Sequence, residues 1–322
     1  METIRKPWVI APVLVLFLLL LLGWYWSQEP ALPVTEESSE PDQAIVGVAT
    51  TSALISATET LLNKRGGYLS NDIIPPSVLL DNVPNWEFGV LQQVRDLAKS
   101  LRNDYSRSQT QSLADPYLEI AEPKFNVDSD AWMFPSAEGE YQEGVEALEK
   151  YLARLSDPSK KNAQFYARAD NLNEWLSLVE KRFGSLSQRL SKARPQIRVN
   201  TDLAGDPNAQ QSTETDSEIS TQTSWFEIDD NFYEARGTAW ALIHFLKAAE
   251  VDFGPVLEDK RAIPSLRQVI RELEATQQNV TSPMILNGKG LGMFANHSLV
   301  MSSYISRANS AIADLRSLLD DG

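Results

Sequence analysis

Cysteine is absent from the 322 residues. That excludes disulfides, Cys-ligated zinc, iron–sulfur clusters, a thiol nucleophile and a lipidated N-terminal cysteine. Histidine is nearly absent as well, with only His244 and His297 present. Ala241 and Phe294 stand three residues before them, so the Glu-x-x-His pattern of a di-iron carboxylate bundle fails. His-Glu-x-x-His is missing too. A hydrogen-bonded core histidine therefore describes His244 better than a metal ligand, and His297 reads the same way with more exposure. Metal binding would need a site made of carboxylates alone; no metal and no cofactor is expected.

Basic residues are the minority, 29 against 44 acidic ones, for a formal charge of −15. Such a surface repels phosphate backbones, and nucleic acid is excluded as an expected partner. Phosphate-binding loops are also missing. GKGLG at 288–292 has neither Walker nor dinucleotide spacing and reads as a loop before the last helix. A Gly-x-Ser-x-Gly elbow does not occur. Asn279-Val280-Thr281 and Asn296-His297-Ser298 match glycosylation sequons, a pattern that arises often by chance.

Charge is missing from one long run. Residues 7–26, PWVIAPVLVLFLLLLLGWYW, carry none. At helical rise they extend about 30 Å, the thickness of a bilayer's hydrocarbon core. Arg5 and Lys6 precede the run, whereas Glu29, Glu36, Glu37, Glu40 and Asp42 follow it before the next cation, Lys64. The positive-inside bias thus makes residues 1–6 a cytoplasmic tail, 7–26 a single transmembrane helix, and the remainder external. Trp24, Tyr25 and Trp26 fit an interfacial aromatic belt. A cleaved signal peptide would need small residues where these aromatics stand.

Beyond the anchor, 27–43 has three prolines among its acids and reads as an extended, solvated stalk. Residues 199–223 are polar with few apolar positions and read as a flexible loop. They divide the body into a first helical part, 44–198, and a second, 224–322. Apolar residues Phe165, Ala169, Leu172, Leu176, Val179, Phe183, Leu186 and Leu190 keep a 4-3 spacing, and a similar series leads from Phe294 to Leu319. Both predict long packed helices. Shorter ones are expected over 44–63, stopped by Gly66-Gly67, from Ser136 through Leu155, and around Leu266–Leu273 after Pro264. GTAWALIHFLKAA at 237–249 is apolar nearly all round, as a central helix would be. No strand alternation appears, so the fold class is all-α. Prolines make 68–89 and 122–136 largely extended segments.

Two groups of residues invite chemistry. Tyr68, Asp72, Asp81, Asn82, Asn85, Trp86 and Glu87 combine aromatics that stack on sugars with carboxylates, so Asp81 and Glu87 are the catalytic candidates for glycan cleavage. Against this, Asn85 is a natural N-cap for a helix starting at Trp86, with Glu87 an ordinary first-turn acid. The second group is polar. In LRNDYSRSQTQS (101–112), Ser108 and Ser112 continue the seam of Val90, Val94, Leu97, Leu101 and Tyr105, and GSLSQRLS (184–191) repeats the serine theme. Arg102, Arg107, Gln109, Gln188 and Arg189 could bind a small anionic or polar ligand. Close packing of two serine-faced helices, with arginines paired to acids such as Asp104 or Asp170, explains the same residues and is preferred.

GGYLSND (66–72), DNVPNWEFGVLQQVRDLA (81–98), NDYSRSQTQS (103–112), FYARADNL (165–172) and FGSLSQRLS (183–191) together resemble a bacterial family of membrane-anchored proteins described as a domain of unknown function. The likeness covers nearly the whole chain after the anchor. It implies a Gram-negative source, an inner-membrane anchor and a periplasmic body, and supplies no activity or catalytic residue. The expectation is a non-enzymatic scaffold or interaction module of the cell envelope with a protein partner. The alternatives are an enzyme on peptidoglycan or another envelope glycan, using carboxylates in 72–87, and a ligand sensor or carrier. Oligomeric state is not legible.

Overall fold

A computed structural model describes residues 7–32, 45–109, 112–157, 159, 162–200, 218–280, 282, 284–289 and 293–321, with side chains from Ile10 onward. Ten α-helices are present among them: α1 (Pro7–Trp26), α2 (Val48–Asn63), α3 (Asn82–Ser100), α4 (Pro116–Phe125), α5 (Ala137–Leu155), α6 (Ala169–Ser191), α7 (Ile228–Asp252), α8 (Gly254–Asp259), α9 (Ile263–Thr276) and α10 (His297–Asp320). A short antiparallel ribbon of β1 (Gln196–Val199) and β2 (Glu218–Thr221), with Gln196 opposite Thr221, and an isolated bridge between Asn287 and Asn296 depart from all-α architecture among the described residues. The ribbon borders the expected polar loop, of which residues 201–217 lie outside the described residues.

The bundle is organised around α7, whose Ala239, Ala241, Leu242, Phe245 and Leu246 are fully buried. It runs parallel to α3. Asn85 meets Asp230, Gly89 meets Thr238, and the far ends meet where Tyr105 packs on Phe253. The crossing is backbone on backbone. A Cβ on Gly237 would lie 2.0 Å from the Trp86 carbonyl oxygen, and one on Gly89 would lie 2.2 Å from that of Glu234. Only glycine fits at either position.

Antiparallel to α7 run α2, α6 and α9. Asp252, at the end of α7, accepts from Gly47 N (2.8 Å) and Thr50 N (2.6 Å) and so caps α2 from 202–205 residues away in sequence. Arg189, near the end of α6, pairs with Glu234 in the first half of α7. Arg267 and Glu274 of α9 pair with Glu250 and Lys247. Helix α10 lies along α6, with Ser302 against Ser187 and Arg316 against Glu180. One core draws residues from both sides of 199–223.

Several local expectations meet their physical cause here. Ser136 caps α5 by accepting from Gly139 N, and Pro264 occupies the first turn of α9. Gly66 and Gly67 take φ of 89° and 78°, the left-handed values that stop α2. The 4-3 stripes are buried, as Leu172, Leu176, Val179 and Phe183 of α6 and Ile305, Ala308, Ile312 and Leu315 of α10 all show. Other expectations are corrected. The stretch 68–89 is not extended throughout, because Asp81 rather than Asn85 caps α3 and the helix begins at Asn82. Pro84 then sits in the first turn, where its missing N–H costs nothing. Helix α4, capped by Asp115, likewise takes in residues 122–125 of the second supposedly extended segment, Pro123 included.

Helix α1 is uncharged over its 20 residues. Val13 to Leu18 are each more than half exposed, so its middle stands clear of the other described residues. Among the described residues, which for the side chains of this helix begin at Ile10, no helix is long and apolar enough to cross a membrane.

Candidate functional site

Glu87 is the better protected of the two catalytic candidates. It projects from the first half of α3 into the core and is fully buried. Its carboxylate accepts from Leu69 N at 2.9 Å and Ser70 N at 2.8 Å, from the Ser70 hydroxyl, and from the Lys64 ammonium. Lys64 is itself buried and also donates to the Gly67 carbonyl. Burial pushes the Glu87 carboxyl above its ordinary range, with Lys64 and the loop donors acting against that. Each lone pair that could serve a substrate is already used in pinning the 64–70 turn onto α3. Asp81 lies elsewhere, exposed at the N-cap of α3 and accepting from Asn82 N. The two carboxylates thus share no cleft. Of their companions, Tyr68 is buried edge-on to Tyr141 and Trp86 is buried edge-on to Trp240, so neither offers a ring face to a sugar.

The polar candidates are also kept apart. Leu101–Tyr105 form a π-turn in which Ser106 N donates to Leu101 O, after which the chain leaves the helix. Ser108 is exposed, so the seam stops at the buried Tyr105 instead of continuing into serines. This segment meets the start of α6, where Asn171 donates to Asp104 O (3.1 Å) and Arg168 to Ser108 O (3.0 Å). Ser187, Gln188 and Arg189 lie 16 or more residues further along the same helix, about 25 Å away at helical rise. The two serine motifs therefore do not cross each other. Ser187 instead approaches Ser302 of α10.

Arg102 pairs with Glu122 at 2.8 Å. Arg189 forks onto Glu234, with a third bond to Asn231 Oδ1 at 2.9 Å. Arg107 donates to Ser112 O at 2.7 Å within its own loop, where Ser112 Oγ also accepts from Gln109 N. Gln109 and Gln188 have exposed side chains. Protein carboxylates, though not Asp104 or Asp170, pair with Arg102 and Arg189, and the five residues do not converge on one pocket.

Sequence reasoning missed a more consequential site. Residues 27–32, the described part of the expected stalk, lie against the body as a strap, with Gln28, Glu29, Pro30 and Leu32 half-buried and Ser27 and Ala31 exposed. Glu29 forks onto Arg236 (2.6–3.0 Å), and the same guanidinium donates to Thr276 O and Gln278 O at 2.9 Å. Trp240 Nε1 donates to Ala31 O, and Leu32 joins the core. Just before the strap, Trp26 covers Gly66, where a Cβ would lie 2.8 Å from the indole, and Arg65 sits 5.1 Å over the Tyr25 ring. A cleft of about 50 Å³ remains between the strap and α3, lined by Glu29, Lys64, Asn82, Trp86 and Tyr233. The signal in the sequence was Arg236, a cation placed directly before the apolar run 237–246 of α7.

The remaining features are structural in kind. His244 bonds the Trp240 carbonyl at 2.8 Å, and burial lowers its pKa to about 4. His297 Nδ1 accepts from Leu286 N at 3.0 Å beside an open cleft of about 200 Å³, whose lining includes Arg236, already held by Glu29, together with Thr276, Gln278, Asn279 and Tyr304. Asn296 is the N-cap of α10, buried and accepting from Leu299 N, which removes it as a glycan acceptor. Acids Asp229 and Asp230 crowd Asp81 where α7 and α3 begin. Burial, then Asp229 and Asp81, raise the Asp230 pKa to about 6. Among the described residues no group of three or more His, Asp or Glu could hold a metal.

No curated protein and no solved structure matches the chain. The profile of one family covers residues 2–322, and the chain belongs to that family, described as "Uncharacterized protein conserved in bacteria (DUF2333)".

Proposed function

We propose that the chain is a single-pass inner-membrane protein, cytoplasmic over residues 1–6, whose helical body serves as a scaffold or interaction module on the periplasmic side. One observation carries this reading: a free-standing uncharged helix of 20 residues leads directly into a strap locked to the body. Twenty helical residues match a bilayer's hydrocarbon core, and apolar side chains exposed all round suit lipid rather than water. Arg5 and Lys6 before the helix and acids after it give the orientation. The strap holds the body in a fixed relation to the anchor, as a scaffold requires and a freely tethered enzyme does not. The carboxylates and arginines that suggested chemistry are occupied by internal partners, which argues against the enzyme and the anion sensor.

The test uses the full chain in its native host background. Carbonate-washed membranes should retain it, protease added to spheroplasts should digest the body, and in-cell crosslinking should return a recurrent envelope protein. Release by carbonate would overturn the anchor. Release of fragments from cell-wall sacculi by the purified full chain, lost in Glu87→Gln, would replace the scaffold with an enzyme.

A further inference from the structure

The exposed apolar side chains of the body are unevenly distributed. Ile73, Ile74, Val78 and Leu79 are 55–74% exposed in the loop between α2 and α3. Trp132 is 53% and Phe134 101% exposed in the loop between α4 and α5. These loops are neighbours. Tyr68 donates to Ser129 O, Asn71 donates to Ala131 O, and one recess of about 240 Å³ is lined by Ile73, Ile74, Pro75, Trp132 and Trp26. Trp26 is the last residue of α1. Three residues earlier, a Cβ on Gly23 would touch Leu80 and Pro76 at 3.6 and 3.7 Å. The apolar loops therefore surround the point at which α1 leaves the body.

Chain direction fixes which way the helix points. Moving from Gly23 through Trp26 to Ala31, the contacts pass from Pro76 and Leu80 to Gly66 and then to Trp240, deeper along α7. The strap thus descends along the body while α1 projects the other way, past Ile73–Leu80. Trp225 and Phe226, 63% and 78% exposed, precede α7 at this same end of the bundle, because α3 and α7 run parallel. Isolated exposed apolar residues are ordinary on protein surfaces, but a contiguous group on two adjoining loops needs an occupant. A lipid surface fits, since an anchor emerging among these loops would bring them to the headgroup level, where tryptophan is favoured.

We propose that the loops 73–80 and 132–134 insert into the outer interface of the membrane that α1 crosses, so that the body lies against the bilayer instead of standing away from it. The occupant is the lipid headgroup and upper acyl region. Asp72 and Glu138 line the same recess, so zwitterionic headgroups fit better than anionic ones. This rests on the membrane-anchor reading of α1.

Absence of native cysteine permits a direct test. Full-length single-cysteine variants Leu14→Cys, Ile74→Cys, Phe134→Cys and Leu113→Cys are labelled with an environment-sensitive fluorophore and placed in phosphatidylcholine nanodiscs containing spin-labelled lipid. Leu113, 94% exposed just before α4, is the reference for a label in water. Shallow spin labels should quench positions 74 and 134 at least twofold relative to 113, and deep ones should quench position 14. Adding Phe134→Asp should reduce quenching at 74 without altering the helical circular dichroism. Quenching at 14 but none at 74 or 134 would overturn the lipid-facing loops and leave the anchor standing, with a protein partner or second copy as the cover. Quenching at 74 and 134 without any at 14 would keep the lipid surface and overturn the anchor. Stronger quenching at 74 and 134 in phosphatidylglycerol discs would overturn the headgroup preference.

Discussion

The two ends of the bundle solve opposite problems. At the end away from α1, Tyr105, Phe165 and Phe253 pack in a triangle with ring centroids 5.1–5.7 Å apart, and all three are buried. Asp252 beside them satisfies the first amides of α2. At the other end, rings as large as Trp132, Phe134, Trp225 and Phe226 stand exposed above a layer of acidic helix starts. The chain had enough aromatics to seal both ends and sealed one. Since exposed rings forgo the burial that stabilises a fold, the open end is the one shaped by something outside the bundle.

Substitutions can break this contrast, and the largest effect belongs to the sealed end. Phe253→Ala should destabilise by about 4 kcal/mol, through lost burial, a cavity and two lost ring contacts. Phe134→Ala at the open end should change stability by less than about 0.5 kcal/mol. Denaturant titration of the detergent-solubilised full chain compares the two, and equal losses would erase the distinction. Next comes the strap. Arg236→Met leaves Glu29 and two carbonyls without their donor and should cost about 3 kcal/mol. Hydrogen exchange should then accelerate over residues 27–32 more than over α6. Asp252→Ala removes the cap of α2 and should cost about 1–2 kcal/mol, read as lower amide protection at Gly47 and Thr50.

Much of this organisation was legible and some was not, for separable reasons. Stripes such as Leu172, Leu176, Val179 and Phe183 report helices because periodicity is a local property, and they are buried, although Phe165 and the 67%-exposed Phe294, the expected first members, lie before α6 and α10. The π-turn at Leu101–Tyr105 is invisible in the pattern, since Ser108 and Ser112 keep the right spacing after the helix has ended. The start of α3 was misplaced because Asn85 and Asp81 are equally good caps, and only the loop held by Glu87 and Lys64 selects between them. Pairings across sequence were the real blind spot. Nothing local says that Asp252 caps a helix more than 200 residues earlier, that Gly89 meets Glu234 and Gly237 meets Trp86, or that Glu29 in a proline-rich stretch belongs to Arg236. For the candidate site, the company of the arginines was not legible: Arg102 pairs with Glu122 of α4 and Arg189 with Glu234 of α7, partners remote in sequence from both.

The smallest expected effect tests the acidic layer at the open end. Asp230 accepts from Asn85 Nδ2 at 2.7 Å, yet burial and the nearby Asp229, Asp81, Glu227 and Glu234 raise its pKa from 3.8 to about 6. A folded-state pKa above the unfolded one means that the folded protein binds the proton more tightly. Its favourable contribution is therefore complete below pH 4 and is lost as pH rises through 6, leaving the charged carboxylate as a strain at neutral pH. Fully buried, such a shift would correspond to about 3 kcal/mol; Asp230 is only half-buried, and solvent screening reduces this to about 1 kcal/mol. Asp230→Asn should accordingly raise stability at pH 7 by about 1 kcal/mol, leave it nearly unchanged at pH 4, and flatten the melting temperature between those limits. A variant whose gain is the same at both pH values would place the cause in packing rather than charge, and the crowding of acids would then not distinguish the open end from the sealed one.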